Sequence, residues 1–199
     1  MQLDQGYKGF SFSKEGPLDM RMDPTSELTA REVINRWSED QLAELFREYG
    51  EEPRWRRAAK GIVEARRKKP INTTRELADV ITAALRTPLK GKWHPATLIF
   101  QALRICVNRE LDVVAEGISK ALKFLSKGGR MGVISFHRLE DRIVKNIFKD
   151  ASAAPRKGQP GAPLPILKLL AKKPLVPTFA EIRLNPRARS AKLRAAEKV

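Results

Sequence analysis

One cysteine and two histidines are all that this 199-residue chain offers to thiol or soft-metal chemistry. Cys106, standing alone, excludes an internal disulfide and a thiolate cluster. His94 and His137 leave too little for zinc, so no metal is expected. Long apolar runs are missing too. Leu98 to Phe100 and Met131 to Phe136 stop far short of a membrane span, and no secretory stretch is visible. Acidic residues are scarce beside basic ones, 23 against 39, for a formal net charge of +16. That excess attracts a polyanion and makes its binding salt-dependent. Charge alone leaves DNA, RNA and anionic lipid open, along with a merely basic surface. With 42% hydrophobic and 31% charged residues the chain reads as an ordinary folded, cytoplasmic protein. It is long enough for one core, or for a moderate core and a small second lobe.

The first 26 residues carry no long periodicity and are punctuated by Gly6, Gly9, Gly16 and Pro17, so they read as an ordered loop. Four helices with start signals follow. Thr29 with Glu32, Ser38 with Gln41 and Thr73 with Glu76 have capping-box spacing, and Pro53 suits a first turn. Their apolar stripes include Val33 and Ile34, Leu42 and Phe46, Ile62 and Val63, and Leu77 and Ile81. The spacing predicts a compact helical lobe over residues 28–88. Pro95 to Asn108 is apolar nearly all round and predicts a buried helix; Leu111 to Leu125 predicts another. Gly128-Gly129 then leads into a β-rich run, Arg130 to Phe136, and an amphipathic helix from Arg138 to Phe148. Residues 151–165 read as a flexible loop rich in Ala, Pro and Gly, and Ile166 to Leu170 as a strand. Thr178 opens a short helical piece ended by Asn185-Pro186, and Ser190 to Val199 favours helix by local propensity.

Helix, tight turn, strand and helix is the grammar of an open α/β sheet. Such a domain ordinarily opens with a strand, a glycine-rich loop and a helix, whereas the first strand expected here begins after residue 129. A sheet of two or three strands would be thin. The expectation is therefore an α/β domain whose first half-domain is absent or supplied elsewhere.

Several ordered words point to one family. They are Gly9-Phe10-Ser11-Phe12; Gly16-Pro17-Leu18-Asp19-Met20-Arg21-Met22-Asp23-Pro24; His94-Pro95-Ala96-Thr97; Gly128-Gly129-Arg130; Val133-Ile134-Ser135-Phe136-His137; Leu139-Glu140-Asp141-Arg142; and Asn185-Pro186-Arg187-Ala188-Arg189-Ser190. Together with shorter words between them they span nearly the whole chain. They closely resemble the bacterial methyltransferases that move a methyl group from S-adenosylmethionine to the exocyclic N4 of a cytidine in the decoding region of small-subunit (16S) ribosomal RNA. The resemblance implies the C-terminal part of a class I, Rossmann-like methyltransferase sheet with an inserted all-helical lobe, the N-terminal strands lying ahead of residue 1. Residues 1–27 would face substrate and cofactor, 28–88 form the inserted lobe that touches RNA, and 89–199 complete the core. Ser190 to Val199 would be the closing strand, against its own propensity. Of the family's donor contacts only Gln2 is retained, so weak donor binding is expected of these residues alone. The alternative is a non-catalytic RNA-binding remnant; a structural ribosomal protein would not need the Asp19 motif. Small-subunit rRNA or the 30S subunit is the implied partner, with no membrane. The oligomeric state stays open, a homodimer included.

Transfer to an exocyclic amine depends mostly on orientation, and on groups that hold the base edge once the base has left its stack. Asp19 and Asp23 are the first candidates for the amine, set against plain turn capping around Pro17 and Pro24. Arg21 between them suits either a phosphate or both carboxylates. Phe10 and Phe12 would share a face of an extended segment, for base stacking or core, with core favoured for one of them. His137 follows a strand end, where open α/β folds place sites, and Asp141 would fix its tautomer; the competing reading is a helix cap. His94 suits a structural hydrogen bond or RNA. Arg54, Arg56, Arg57, Lys60, Arg66 and Arg67 on the third helix, and Arg187, Arg189 and Lys192 near the C-terminus, are expected to meet RNA backbone rather than read bases. Cys106 is expected to be inert packing.

Overall fold

The computed structural model describes residues 8–86, 94–153 and 164–199. The chain divides into two compact units, residues 1–110 and 111–199.

The first unit is helical. It holds α1 (Ala30–Arg36), α2 (Glu39–Glu48), α3 (Trp55–Lys68), α4 (Thr74–Leu85) and α5 (Thr97–Asn108). Three of these start as their spacing predicts. The Thr29 hydroxyl accepts from the Glu32 amide, and Ser38 with Gln41 and Thr73 with Glu76 close full capping boxes. Each cap satisfies amide donors that the first turn leaves without an intrahelical partner. No side chain caps α3; its N-cap is Arg54, one residue beyond Pro53, and the Arg54 amide bonds Glu52 Oε1 at 3.0 Å. The stripes of α1 to α5 meet in one core that includes Ile34, Leu42, Phe46, Ile62, Leu77, Ile81, Ile99 and Leu103, all under 2% exposed. At about 2 kcal/mol for each fully buried side chain of this size, this core dominates the unit's stability.

The second unit joins α6 (Glu110–Phe124, from Leu111 onward), β1 (Arg130–Ser135), α7 (Arg138–Ala151), β2 (Leu167–Leu169), α8 (Phe179–Leu184), a 3₁₀ turn (Pro186–Ser190) and β3 (Lys192–Lys198). The strands form an antiparallel sheet in the order β1-β3-β2. β3 pairs with β1 from Ser135↔Lys192 to Arg130↔Glu197, and with β2 at Leu167↔Lys198 and its neighbours. The residues with helix propensity, Ala195 and Ala196, are thus strand, because both edges of β3 find backbone partners. Ile118, Leu122, Val144, Phe148, Leu167 and Ala196 make up the second core. Among the described residues the chain is mixed α/β, with an all-helical part and a small antiparallel sheet, as expected of part of a class I methyltransferase. No described helix is long and apolar enough to cross a membrane. The expected loop at 151–165 falls largely outside the described residues; α7 runs on through Ala151.

Candidate functional site

The loop from Gly9 to Ser26 is held by backbone and buried hydroxyls rather than by regular structure. Gly9 has φ +70°, and a Cβ there would stand 2.0 Å from the Pro17 carbonyl oxygen, so only glycine fits the crossing. Pro17 bridges Thr73, and the Leu18 amide donates to the Asn72 carbonyl at 3.0 Å. Thr74, fully buried, accepts from the Gly16 amide at 3.2 Å and donates to the Lys14 carbonyl at 3.1 Å. Leu18 and Met20 enter the helical core, Met20 with φ +63°. Asn108, at the end of α5, donates to the Met20 carbonyl at 2.8 Å and accepts from the Met22 amide at 2.7 Å.

This scaffold fixes the two carboxylates. Asp19 takes the Arg21 guanidinium as a fork, Nε to Oδ1 and Nη2 to Oδ2, both at 2.8 Å, and Oδ1 also accepts the Arg21 amide at 3.0 Å. Arg21 spends Nη1 on the carbonyls of Pro24 (2.9 Å) and Ser26 (2.7 Å). The Arg21 side chain therefore serves Asp19 and the turn, not both aspartates. Its hydrogen bonds hold the Asp19 carboxyl below the usual range despite partial burial. Asp23 Oδ1 accepts from the Thr25 amide (2.9 Å) and hydroxyl (2.7 Å), an Asx turn that likewise lowers its pKa. The turn-capping geometry is present for both aspartates. Asp19 Oδ2, with one donor, and Asp23 Oδ2 keep acceptor sites for a further N–H.

Phe10 and Phe12 both pack, half-buried, on the helical core. The Phe12 ring stacks on His94 (centroids 4.4 Å apart, 29° between planes) and meets Phe100 edge-on. His94 Nδ1 accepts the Ala96 amide at 3.1 Å, which opens α5. Beside it lies a cavity of about 450 Å³, lined by Glu52, Pro53, Arg54, His94, Leu98 and Gln101 among others. Its wall is mostly apolar, with a few polar groups facing in, as a planar heterocycle requires.

In the second unit His137 caps α7. Its Nδ1 accepts the Glu140 amide (3.3 Å), while Glu140 Oε2 accepts the amides of Phe136 (2.8 Å) and His137 (3.2 Å). With Nδ1 accepting, the proton belongs on Nε2, which lies buried 3.2 Å from Glu140 Oε1 without hydrogen-bond alignment. Burial would raise the Glu140 pKa, but His137 and the Phe136 amide hold it low. Glu140, not Asp141, is thus the carboxylate beside the ring. Asp141 turns to β3: Arg194 Nε and Nη2 reach its two oxygens at 2.6 and 3.1 Å, and Lys192 Nζ comes to 3.4 Å. Chiefly through the Arg194 bonds, its pKa is lowered.

The basic residues divide. Arg66 is spent inside, donating to the Ile34 carbonyl at 2.6 Å and the Trp37 carbonyl at 2.5 Å, where it closes the end of α1. Arg54 reaches the Leu85 carbonyl at 3.1 Å and Glu52. Arg56 lies over the Trp55 ring at 4.1 Å. Arg57, Lys60 and Arg67 stand exposed on α3, while Arg187 and Arg189 sit on the 3₁₀ turn before β3. Burial raises the Cys106 thiol to about 11, so it is no nucleophile near neutrality. Gln2 lies outside the described residues. Thr74, Asn108 as the loop's anchor, and Arg66 as a cap went unread in the sequence. Thr74 is masked by the stronger capping signal of Thr73, and the other two depend on long-range contact.

The first unit thus presents two ionised carboxylates on an ordered loop, and a largely apolar cavity lies separately at the start of α5. The chain belongs to the MraW methylase family, whose model matches residues 1–199. It is 53% identical over 204 residues to "Ribosomal RNA small subunit methyltransferase H" of Protochlamydia amoebophila, covering 100% of this chain and 65% of that protein. The proteins of the same name from Persephonella marina (49%; 96% of this chain, 62% of theirs) and Thermomicrobium roseum (48%; 100% and 62%) are similar too. The chain therefore spans a little under two thirds of these relatives.

Proposed function

We propose that the protein takes part in S-adenosylmethionine-dependent N4-methylation of a cytidine in small-subunit rRNA, in the cytoplasm. The observation that carries this reading is the family match over the whole chain, with relatives named as small-subunit rRNA methyltransferases. The donor supplies an electrophilic methyl on a sulfonium; of the residues assigned to it, Gln2 lies outside the described set and no described residue is assigned.

In this reading the chain's own groups hold the acceptor. The cytosine N4 is a poor nucleophile because its lone pair is delocalised, and an ionised carboxylate accepting an N–H from it raises electron density on nitrogen and opposes the developing positive charge. Asp19 Oδ2 and Asp23 Oδ2 are the acceptors in this role. Arg21 orients Asp19, and an unstacked base is presented to the two carboxylates. His137, buried at Nε2 and capping α7, keeps a structural role in this reading. Asp141, occupied by Arg194 and Lys192, ties α7 to β3 and is no reacting group. Exposed cations of the 28–88 lobe and the C-terminal turn meet RNA phosphates.

The test is transfer of labelled methyl to 30S subunits, with the product nucleoside identified by mass spectrometry. N4-methylcytidine is expected. Asp19→Asn should lower kcat on the order of a hundredfold with the KM for RNA little changed. A methyl group found on another atom, or no transfer to rRNA by the protein that carries this chain, would sink the reading.

A further inference from the structure

The helical unit carries a groove that the Asp19 loop does not use. It lies between α3 and α4, encloses about 510 Å³, and bears Arg57, Lys60, Lys68 and Arg86 against a single carboxylate, Glu64. Its floor is built from short side chains, Gly61, Ala65, Val80, Ala83 and Ala84. A Cβ on Gly61 would come within 2.4 Å of the Ala84 methyl, so glycine there brings the two helices close and leaves the space above them open. Lys60 has only a loose, exposed contact with Glu64 at 3.9 Å. Among the described residues, Arg57, Lys68 and Arg86 enter no ion pair.

We propose that this groove seats the sugar–phosphate backbone of RNA, at a contact separate from the one that presents the target base. The proposal rests on the rRNA reading above and adds where the strand is held. Four cations against one acid call for a polyanion. No aromatic ring lines the groove, so it offers no stacking platform and reads no base. Nor does it offer a bulky apolar side chain to insert into a bilayer. A floor without long side chains lets a ribose–phosphate chain come down between cations that flank it on both helices. Such a contact fixes position and register without sequence preference.

The experiment is fluorescence anisotropy with the full chain and two labelled RNA hairpins of equal length, one from the small-subunit decoding region and one unrelated, at several salt concentrations. Lys68→Gln with Arg86→Gln should weaken binding of both hairpins roughly tenfold at low salt and flatten the log–log salt slope by about 1 per cation removed. Ala83→Glu, at an exposed helical position that a new side chain does not crowd, should act in the same direction. Variants that melt like the wild type yet keep its affinity and slope on both hairpins overturn the groove and leave the methylation reading standing. Loss confined to anionic phosphatidylglycerol vesicles, with RNA binding intact, also overturns it. A wild-type chain that binds neither hairpin removes both.

Discussion

Asp19 and Asp141 each sit in the fork of a guanidinium, yet they differ in what is left over. Asp19 remains about one-third exposed, with a lone pair to offer, whereas the Asp141 side chain is nearly covered and takes a lysine besides. Asp141 therefore belongs to stability. Its folded pKa lies below that of an unfolded aspartate, so below about pH 4 the unfolded chain binds more protons. The stabilisation is present above that pH and is lost as pH falls through the folded value. Asp141→Asn should cost about 2 kcal/mol at pH 7, and that difference from wild type should shrink on acidification; urea melts at pH 7 and pH 3 check it. A difference independent of pH would show that the carboxylate charge does not matter there. Gly9 makes a different residue-scale argument. Gly9→Ala places a methyl against the Pro17 carbonyl and strains a positive φ. It should lower stability by about 2 kcal/mol or more and disturb the loop that carries Asp19, both visible in a thermal melt and in methyl transfer.

At the scale of elements, the helices were legible because their caps are local. A Thr or Ser three residues before Glu or Gln leaves the first-turn amides one obvious partner, and Thr29, Ser38 and Thr73 all use it. His137 was readable as a cap or a site residue, and it caps α7 with Glu140. β3 was not legible locally: Ala195, Ala196 and Glu197 favour helix, and only pairing along both edges, information from residues far apart in sequence, makes them strand. The basic stretch on α3 was misleading for a related reason. Charge pattern marks a polar face but does not reveal that Arg66 turns inward to the α1 carbonyls. Thr74 shows how an element carries the site. Its hydroxyl joins α4 to the loop through two hydrogen bonds, and it sits beside the N-cap without being the cap. Thr74→Val should keep α4 but leave the Gly16 amide and Lys14 carbonyl unpaired, costing about 1–3 kcal/mol. Hydrogen exchange should then speed up at Gly16 while α4 amides stay protected; equal loosening of both would show the hydroxyl to be a helix determinant instead.

On the scale of the whole molecule, apolar side chains are shared out unevenly. Among the described residues the helical core draws on five helices and the loop, whereas the second core comprises six buried side chains. Among the described residues, every large apolar side chain left exposed, Met22 excepted, belongs to the second unit; Phe124, Phe179 and Leu184 are each more than three-quarters exposed. The boundary at residue 110 could not be read locally, since α5 and α6 are separated by one residue and which core each enters depends on long-range contact. If burial sets local stability, the two units should open with different free energies. Native-state hydrogen exchange should find the slowest amides in α2 to α5, with those of β1, β3 and α7 exchanging at least tenfold faster. Added urea should bring the second group to its opening transition first. Identical exchange free energies in both groups would mean that the chain unfolds as one cooperative block, and that the sparse second core is not what limits it.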